Sequence, residues 1–162
     1  MNHFRIIPGI IAIFLMCFSG ILIAGPLESN MSAYLVGTDK NGKEILKKTD
    51  SAAPGETIEY LLTYQNTGKT QLSALAVNGP IPPNTSFIQG SNSTKVPHEF
   101  KVSIDHGKTW DTEPVRRKQT NKDGKEIWVI IPPSEYTNIQ WMAKKPIGPG
   151  QIQTYRYRIT IE

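Results

Sequence analysis

From residue 34 onward the chain alternates between apolar and polar residues and is repeatedly interrupted by turn-forming residues. Over residues 57–64 and 154–161, every second side chain is aliphatic or aromatic and those between are mostly polar. A period of two places neighbouring side chains on opposite faces of a strand. No segment after residue 25 shows a sustained helical period, and 12 prolines and 13 glycines punctuate the chain. The sequence predicts eight to ten short antiparallel strands in a β-sandwich or barrel.

Two turn motifs mark hairpins within this pattern. Asn41-Gly42 lies between the apolar segments 34–36 and 44–46, and Asp123-Gly124 precedes the apolar segment 127–131. Both dipeptides favour tight hairpin turns because their residues tolerate positive φ. The alternation of residues 154–161 is so regular that we expect this last strand to close a sheet.

The first 24 residues differ in kind from the rest. A basic start ending at Arg5 precedes a 19-residue apolar run from Ile6 to Ala24. This pattern predicts a secretory signal peptide over residues 1–24, forming an N-terminal signal helix, with cleavage after Ala24. The alternative is an uncleaved membrane anchor, because a spanning helix needs roughly 20 apolar residues. Residues 25–33 are predicted to be a linker and residues 34–162 the β-sandwich domain.

Composition restricts the chemistry of this domain. Cys17, the only cysteine, lies in the apolar run, so the domain has neither a disulfide nor a reactive thiol. Removing Arg5 with the leader leaves 17 basic and 14 acidic residues. The densest basic cluster, residues 116–118, is expected in a polar loop, and no run of Lys and Arg is long enough to predict nucleic-acid binding.

Three segments carry a resemblance to a known family. The chain reads PGETIEY at residues 54–60, TYQNTG at 63–68 and IPPNTSF at 81–87, followed by a Trp strand at 139–141 and PIGPG at 146–150. This arrangement resembles the bacterial surface repeat called domain of unknown function eleven, over about residues 50–162. The resemblance implies an immunoglobulin-like antiparallel β-sandwich in an exported bacterial protein, with no catalytic residues to carry over. Members often form tandem arrays, whereas one copy here favours a small envelope protein over a repeat-built stalk.

One further motif has a specific pattern. Residues 103–110 match the Asp-box Ser-x-Asp-x-Gly-x-Thr-Trp at every fixed position, which is occupied by Ser103, Asp105, Gly107, Thr109 and Trp110. The motif resembles the boxes of sialidases and related propellers, where they lie outside the active site. We expect a structural turn in which Asp105 accepts hydrogen bonds from turn amides, Gly107 supplies a positive φ and Trp110 packs over the turn. A single box cannot build a propeller.

Aromatic side chains provide a second hypothesis, a platform on which sugars stack. The candidates are Trp110, Trp128, Trp141 and Tyr136. Trp128 and Trp141 lie among apolar neighbours, so we expect both in the core, and Tyr136 is the best candidate for an exposed ring.

Metal, cofactor and nucleophilic chemistry find little support. Residues 39–44 partly match a calcium loop, but Lys40 and Lys43 add positive charge and further acidic ligands are missing. His98 and His106 have no Cys or second His at ligand spacing. The chain also lacks a nucleophile elbow and a phosphate-binding glycine loop. The sequence therefore predicts no catalytic, cofactor-binding or metal site.

Three functions remain as hypotheses. The first, which we favour, is a non-enzymatic, exported binding or assembly module of the bacterial envelope, periplasmic or extracellular, whose partner is a protein or an envelope polymer. Its expected binding site is an unpaired sheet edge that receives a strand from that partner. Contact with a membrane is expected only through the leader, and only if the leader stays uncleaved. The second is a carbohydrate-binding module that stacks glycans on exposed aromatic rings. The third is a minimal hydrolase, for which the sequence offers no reactive cluster.

Overall fold

The structure is a computed structural model that describes residues 26–162. Its eleven strands are Leu27–Thr38 (β1), Glu44–Lys48 (β2), Thr57–Asn66 (β3), Ala76–Pro80 (β4), Thr85–Phe87 (β5), Ser93–Thr94 (β6), His98–Ser103 (β7), Arg116–Thr120 (β8), Glu126–Ile130 (β9), Asn138–Ala143 (β10) and Ile152–Ile161 (β11). One turn of 3-10 helix covers Pro133–Glu135. The described chain is therefore all-β, with one strand more than predicted.

The predicted signal helix, the alternative anchor and the cleavage site after Ala24 lie outside the described residues. Within residues 26–162, no helix has the length and apolar character needed to cross a membrane.

The larger sheet contains six antiparallel strands. Their order across the sheet is β2, β1, β3, β11 and β5, and β6 also pairs with β11. β3 and β11 lie at its centre and pair from Thr57↔Thr160 to Gln65↔Ile152. The far edge of β11 is covered by β5 near Ile159 and by β6 near Tyr155. The prediction that the last strand closes a sheet is wrong, because these two short strands pair along its outer side.

The smaller sheet, in the order β4-β10-β7, packs face to face on the larger one. Trp141 on β10 contacts Tyr155 and Tyr157 on β11, with ring centroids 5.5 and 6.0 Å apart. Phe100 on β7 lies over Phe87 on β5, with centroids 6.0 Å apart. The core between the layers is formed by Ile58, Leu62, Val77, Ile81, Phe87, Val102, Val115, Ile131, Tyr136, Ile139, Trp141, Tyr155, Tyr157 and Ile159. Two antiparallel layers around one apolar core make this domain a β-sandwich.

The alternating faces of the two central strands follow the sequence pattern. Along β11 the side chains from Tyr155 to Ile159 alternate between buried and outward-facing positions, and the apolar ones point into the sandwich. Between the sheets, a Cβ on Gly79 would lie 2.8 Å from Tyr157 Cε1 and 2.9 Å from Ile139 Cγ1, so only glycine allows this approach. The hydroxyl of Tyr157 then donates a hydrogen bond to the carbonyl of Pro80 at 2.5 Å.

Residues 25–33 are predicted to be a linker, but the part of this segment that the structure describes is strand from Leu27 onward. β1 begins at Leu27 and pairs with β3 from Leu27↔Asn66 to Leu35↔Ile58. On the core side of the sheet this segment carries Ser29, which is polar and exposed, and the small Ala33, so its apolar alternation is weak. This segment therefore becomes a strand because it pairs with β3, and its own sequence pattern is too weak to predict that.

The outer face of the larger sheet carries a buried carboxylate. Glu59 on β3 accepts bonds from Arg158 Nε at 2.8 Å and from Arg156 Nη1 at 3.1 Å. Arg158 also donates to both carboxylate oxygens of Glu44 on β2, at 2.8 and 2.6 Å. The hydrogen bonds to Glu44 and then to Glu59 raise the pKa of Arg158. This cluster ties β2, β3 and β11 together.

Candidate interaction site on the β8–β9 hairpin

β8 and β9 form a two-stranded hairpin that pairs with no other strand among residues 26–162. At the base of the hairpin, Val115 and Ile131 are buried in the core. The amide of Ile131 donates a hydrogen bond of 2.9 Å to the carbonyl of Val115. At the other end Asn121 Oδ1 accepts bonds from the amides of Asp123 and Lys125, and Gly124 has φ 76°. The basic cluster of residues 116–118 therefore begins a strand, and the prediction of a polar loop there is wrong.

An ion pair holds the base of the hairpin against the smaller sheet. Asp111 exchanges two backbone hydrogen bonds of 2.9 Å with Val102 on the outer side of β7. Its carboxylate binds both terminal nitrogens of Arg117 on β8, with one N–O distance of 3.2 Å. The hydrogen bond to Asp111 raises the pKa of Arg117. Asp111 therefore links the base of the hairpin to β7.

The Asp-box is the turn that leads from β7 to Asp111. Asp105 accepts bonds from the Thr109 amide at 2.9 Å, from the Thr109 hydroxyl at 2.6 Å and from the Ser103 hydroxyl at 2.7 Å. Gly107 has φ 81°, and a Cβ there would lie 3.4 Å from Cζ2 of the half-buried Trp110. The five box residues thus share one turn, which gives them a structural role in positioning the hairpin.

We expect Asp105→Asn to lower the urea midpoint of unfolding at pH 7, because the amide cannot accept all three bonds. The bonds from Thr109 first, and then from Ser103, lower the pKa of Asp105 well below its usual range. A carboxyl whose pKa is lowered by folding contributes stability above its unfolded pKa of about 4, and this contribution is lost as the pH falls through the folded pKa. The gap between wild type and variant should therefore narrow below about pH 4.

Asp123→Asn is the matched control, since the bonds of its turn are accepted by Asn121 and not by Asp123. If the difference in urea midpoint between wild type and Asp105→Asn stays constant from pH 7 to below about pH 4, this would contradict the charge-based account of the Asp-box.

Three apolar side chains of β9 are exposed. The exposed fraction is 65% for Trp128, 64% for Ile130 and 42% for Ile127, whereas Val129 packs on the core. Trp128 and Ile130 share one face of the hairpin, since strand neighbours two apart point the same way. A two-stranded hairpin is marginally stable without a covered face. Trp128 and Ile130 together form an apolar patch, here called the β9 patch, that is available to a partner.

Positive charge surrounds the β9 patch. Lys118 lies opposite Trp128 in the ladder, with its ammonium 5.7 Å from the indole centroid, and it also pairs with Glu126 at 2.9 Å. Residues 116–130 contain five basic and two acidic residues, a net charge of +3. The other described residues contain 12 basic and 12 acidic side chains. The hairpin therefore carries the whole net charge of the described chain.

The other aromatic candidates lie elsewhere. Trp141 is 0% exposed, as expected for a core residue, but the same expectation for Trp128 is wrong. Tyr136, expected to be the exposed ring, is only 3% exposed and stacks on Phe87 at 6.2 Å. The structure does not bring the four rings together, so a shared stacking platform is absent from the described residues. The signal that sequence reasoning missed is the excess of basic residues beside Trp128.

Clusters of titratable residues elsewhere are already satisfied by their neighbours. No three His, Cys, Asp or Glu side chains among residues 26–162 come together as metal ligands. Asp39 accepts bonds from the amides of Asn41 and Lys43 within the first hairpin turn. A groove of about 590 Å³ crosses the outer face of the larger sheet, but its Arg156 and Arg158 are both bonded to its Glu59.

Comparisons with protein-family models, with curated proteins and with solved structures each found no match. The site is therefore interpreted from its own geometry.

Proposed function

We propose that this protein is a non-enzymatic binding or assembly module of the bacterial envelope that engages a protein partner through the β8–β9 hairpin. The observation that carries the proposal is the β9 patch, on a projecting hairpin that no other described strand covers. Contiguous apolar side chains rimmed by polar ones are typical of interaction sites. Tryptophan is also among the residues that contribute most to binding energy at interfaces.

Export is the second part of the proposal. The basic start and the apolar run from Ile6 to Ala24 support a leader, with cleavage after Ala24. The resemblance of residues 50–162 to domain of unknown function eleven supports an immunoglobulin-like arrangement of the sandwich and a periplasmic or extracellular location. The ion pairs on the outer sheet face support a structural, and not a catalytic, use of its charged groups.

The charge of the hairpin favours an anionic partner. A net charge of +3 within 15 residues attracts opposite charge over roughly a Debye length, about 8 Å at physiological salt. Such complementarity raises association rates and selects partners. We therefore expect an acidic surface or segment on the partner.

The alternative is a carbohydrate-binding module. It is favoured by the exposed indole of Trp128 beside the ammonium of Lys118, an arrangement that suits an anionic sugar. In this case soluble anionic envelope glycans would quench or shift the Trp128 fluorescence, and Trp128→Ser would abolish that response. A protein partner predicts no such response.

The proposal is tested by photo-crosslinking in cells. With a photo-reactive amino acid at position 130, we expect one discrete adduct with an exported protein, and Trp128→Ser should reduce its yield by about tenfold, equivalent to about 1.4 kcal/mol. The matched control is the same probe at Ile152 on β11, whose side chain is similarly exposed, at 56%. Because Trp128 is at the surface, Trp128→Ser should change the free energy of unfolding by no more than about 0.5 kcal/mol.

The position at which an adduct forms, and whether it depends on Trp128, decide the outcome. An adduct that forms equally at positions 130 and 152, or that survives Trp128→Ser, would contradict a specific site on the hairpin. So would the absence of any protein adduct at position 130.

A further inference from the structure

The outer edge of β9 presents unpaired backbone groups. The bonds Asn121 N–H to Lys125 O and Ile131 N–H to Val115 O, both 2.9 Å, flank the ladder between β8 and β9. Antiparallel ladders bond through alternate residues, so the odd-numbered residues of β9 face β8. The amides and carbonyls of Glu126, Trp128 and Ile130 therefore point away from it. None of these outward groups is bonded to another described residue.

The outer edges of β8 and β2 are better protected against pairing than that of β9. On β8 the outward residues include Arg116 and Lys118, and the carbonyl of Arg116 already accepts a bond of 2.9 Å from Arg117 Nη1. β2 ends in Lys47 and Lys48. Basic side chains on an edge strand oppose pairing with further strands. β9, with Ile127, Trp128, Val129 and Ile130 in succession, has no such protection within those four residues.

We propose that the outer edge of β9 binds an extended, acidic segment of a partner protein as a third strand of the hairpin sheet. This inference rests on the proposed function and specifies how the partner binds. Main-chain hydrogen bonds to Trp128 and Ile130 supply affinity, and alternate apolar side chains of the added strand pack beside the same two residues. A third strand also gives the hairpin the extra pairing that two strands lack.

The charge of the hairpin selects the kind of segment. Acidic residues flanking the apolar part of the segment meet a hairpin with a net charge of +3. A second copy of this chain would bring another +3 to the same edge, which opposes pairing between two β9 strands. The favoured occupant is therefore a different, acidic polypeptide.

The test uses a synthetic nine-residue peptide with valine and threonine alternating over five positions and two acidic residues at each end. We expect saturable binding to the protein with a change in Trp128 fluorescence. Hydrogen exchange measured by NMR should slow by about tenfold or more at the outward amides of Trp128 and Ile130, since exchange requires an open amide. The outward amide of Lys118 on β8 should be unchanged.

Two variants separate the backbone contribution from the side chain. Ile130→Ala and Ile130→Pro both remove the isoleucine side chain, but only proline removes the outward amide, and proline is tolerated where the N–H of an edge strand faces solvent. We expect Ile130→Pro to weaken peptide binding by about tenfold more than Ile130→Ala. A control peptide with lysine in place of the acidic residues should bind about tenfold more weakly than the acidic one.

Different results would overturn different claims. Peptide binding without slowed exchange at Trp128 and Ile130 would overturn strand addition, while docking on the hairpin would stand. If no peptide binds, but the adduct at position 130 forms and depends on Trp128, strand addition is likewise overturned and docking on the hairpin stands. A stable dimer of the protein alone that protects these two amides would show that a second copy is the occupant and would overturn the proposed partner.

Discussion

Replacing Trp141 with alanine is expected to lower the free energy of unfolding by about 3–5 kcal/mol, the range typical of removing a large buried side chain. Trp141 is fully buried at the centre of the sandwich, where its ring lies 5.6 Å from Phe100, 5.5 Å from Tyr155 and 6.0 Å from Tyr157, measured between centroids. Alanine would leave a cavity between the two sheets at the point where they meet. Urea unfolding followed by circular dichroism measures the change.

Two variants sharpen this prediction. Trp128→Ala makes the same substitution on the exposed hairpin and should change stability by no more than about 0.5 kcal/mol. Trp141→Phe keeps most of the ring volume and removes the indole Nε1, which is buried without a hydrogen-bond partner in the described chain. Because an unsatisfied buried donor is unfavourable, this variant should lose far less stability than Trp141→Ala. Equal losses for Trp141→Ala and Trp128→Ala would contradict the assignment of the core.

Arg158→Met is expected to destabilise the protein by about 3 kcal/mol, because it removes the main partner of a buried carboxylate. Glu59 is buried on the outer sheet face and is bonded by Arg158 through Nε at 2.8 Å. Arg158 also bridges to Glu44, so its loss removes the ion pair that links β11 to β2. Urea unfolding at pH 7 measures the change.

Arg156→Met provides the matched control. Arg156 makes one bond of 3.1 Å to Glu59 and is about half exposed, so we expect a change below about 1 kcal/mol. The double variant Glu59→Leu with Arg158→Met should be more stable than Arg158→Met alone, because it leaves no buried carboxylate that has lost its main partner. If the double variant is as unstable as the single one, the desolvated charge is not the cause.

The candidate site shows where local sequence ceases to be informative. The apolar run that predicted the strand at 127–131 also placed Trp128 in the core, because a strand rich in apolar residues is normally covered on at least one face. In the structure β9 pairs only with the basic β8, and the sandwich reaches Val129 but not Trp128. The basic residues 116–118 were the available signal, since a strand pairing with them lies at the surface.

Sequence alone determined the all-β character, the hairpin turns at Asn41-Gly42 and Asp123-Gly124, and the inward and outward faces of β3 and β11. These are properties of a few neighbouring residues, namely backbone freedom in turns and a side-chain period of two. Tertiary structure alone decided that residues 27–33 are strand, that β11 lies inside its sheet and that Trp128 faces solvent. Each of these depends on which distant segment supplies the partner, and the burial of a side chain is a property of that partner as much as of the strand that carries it.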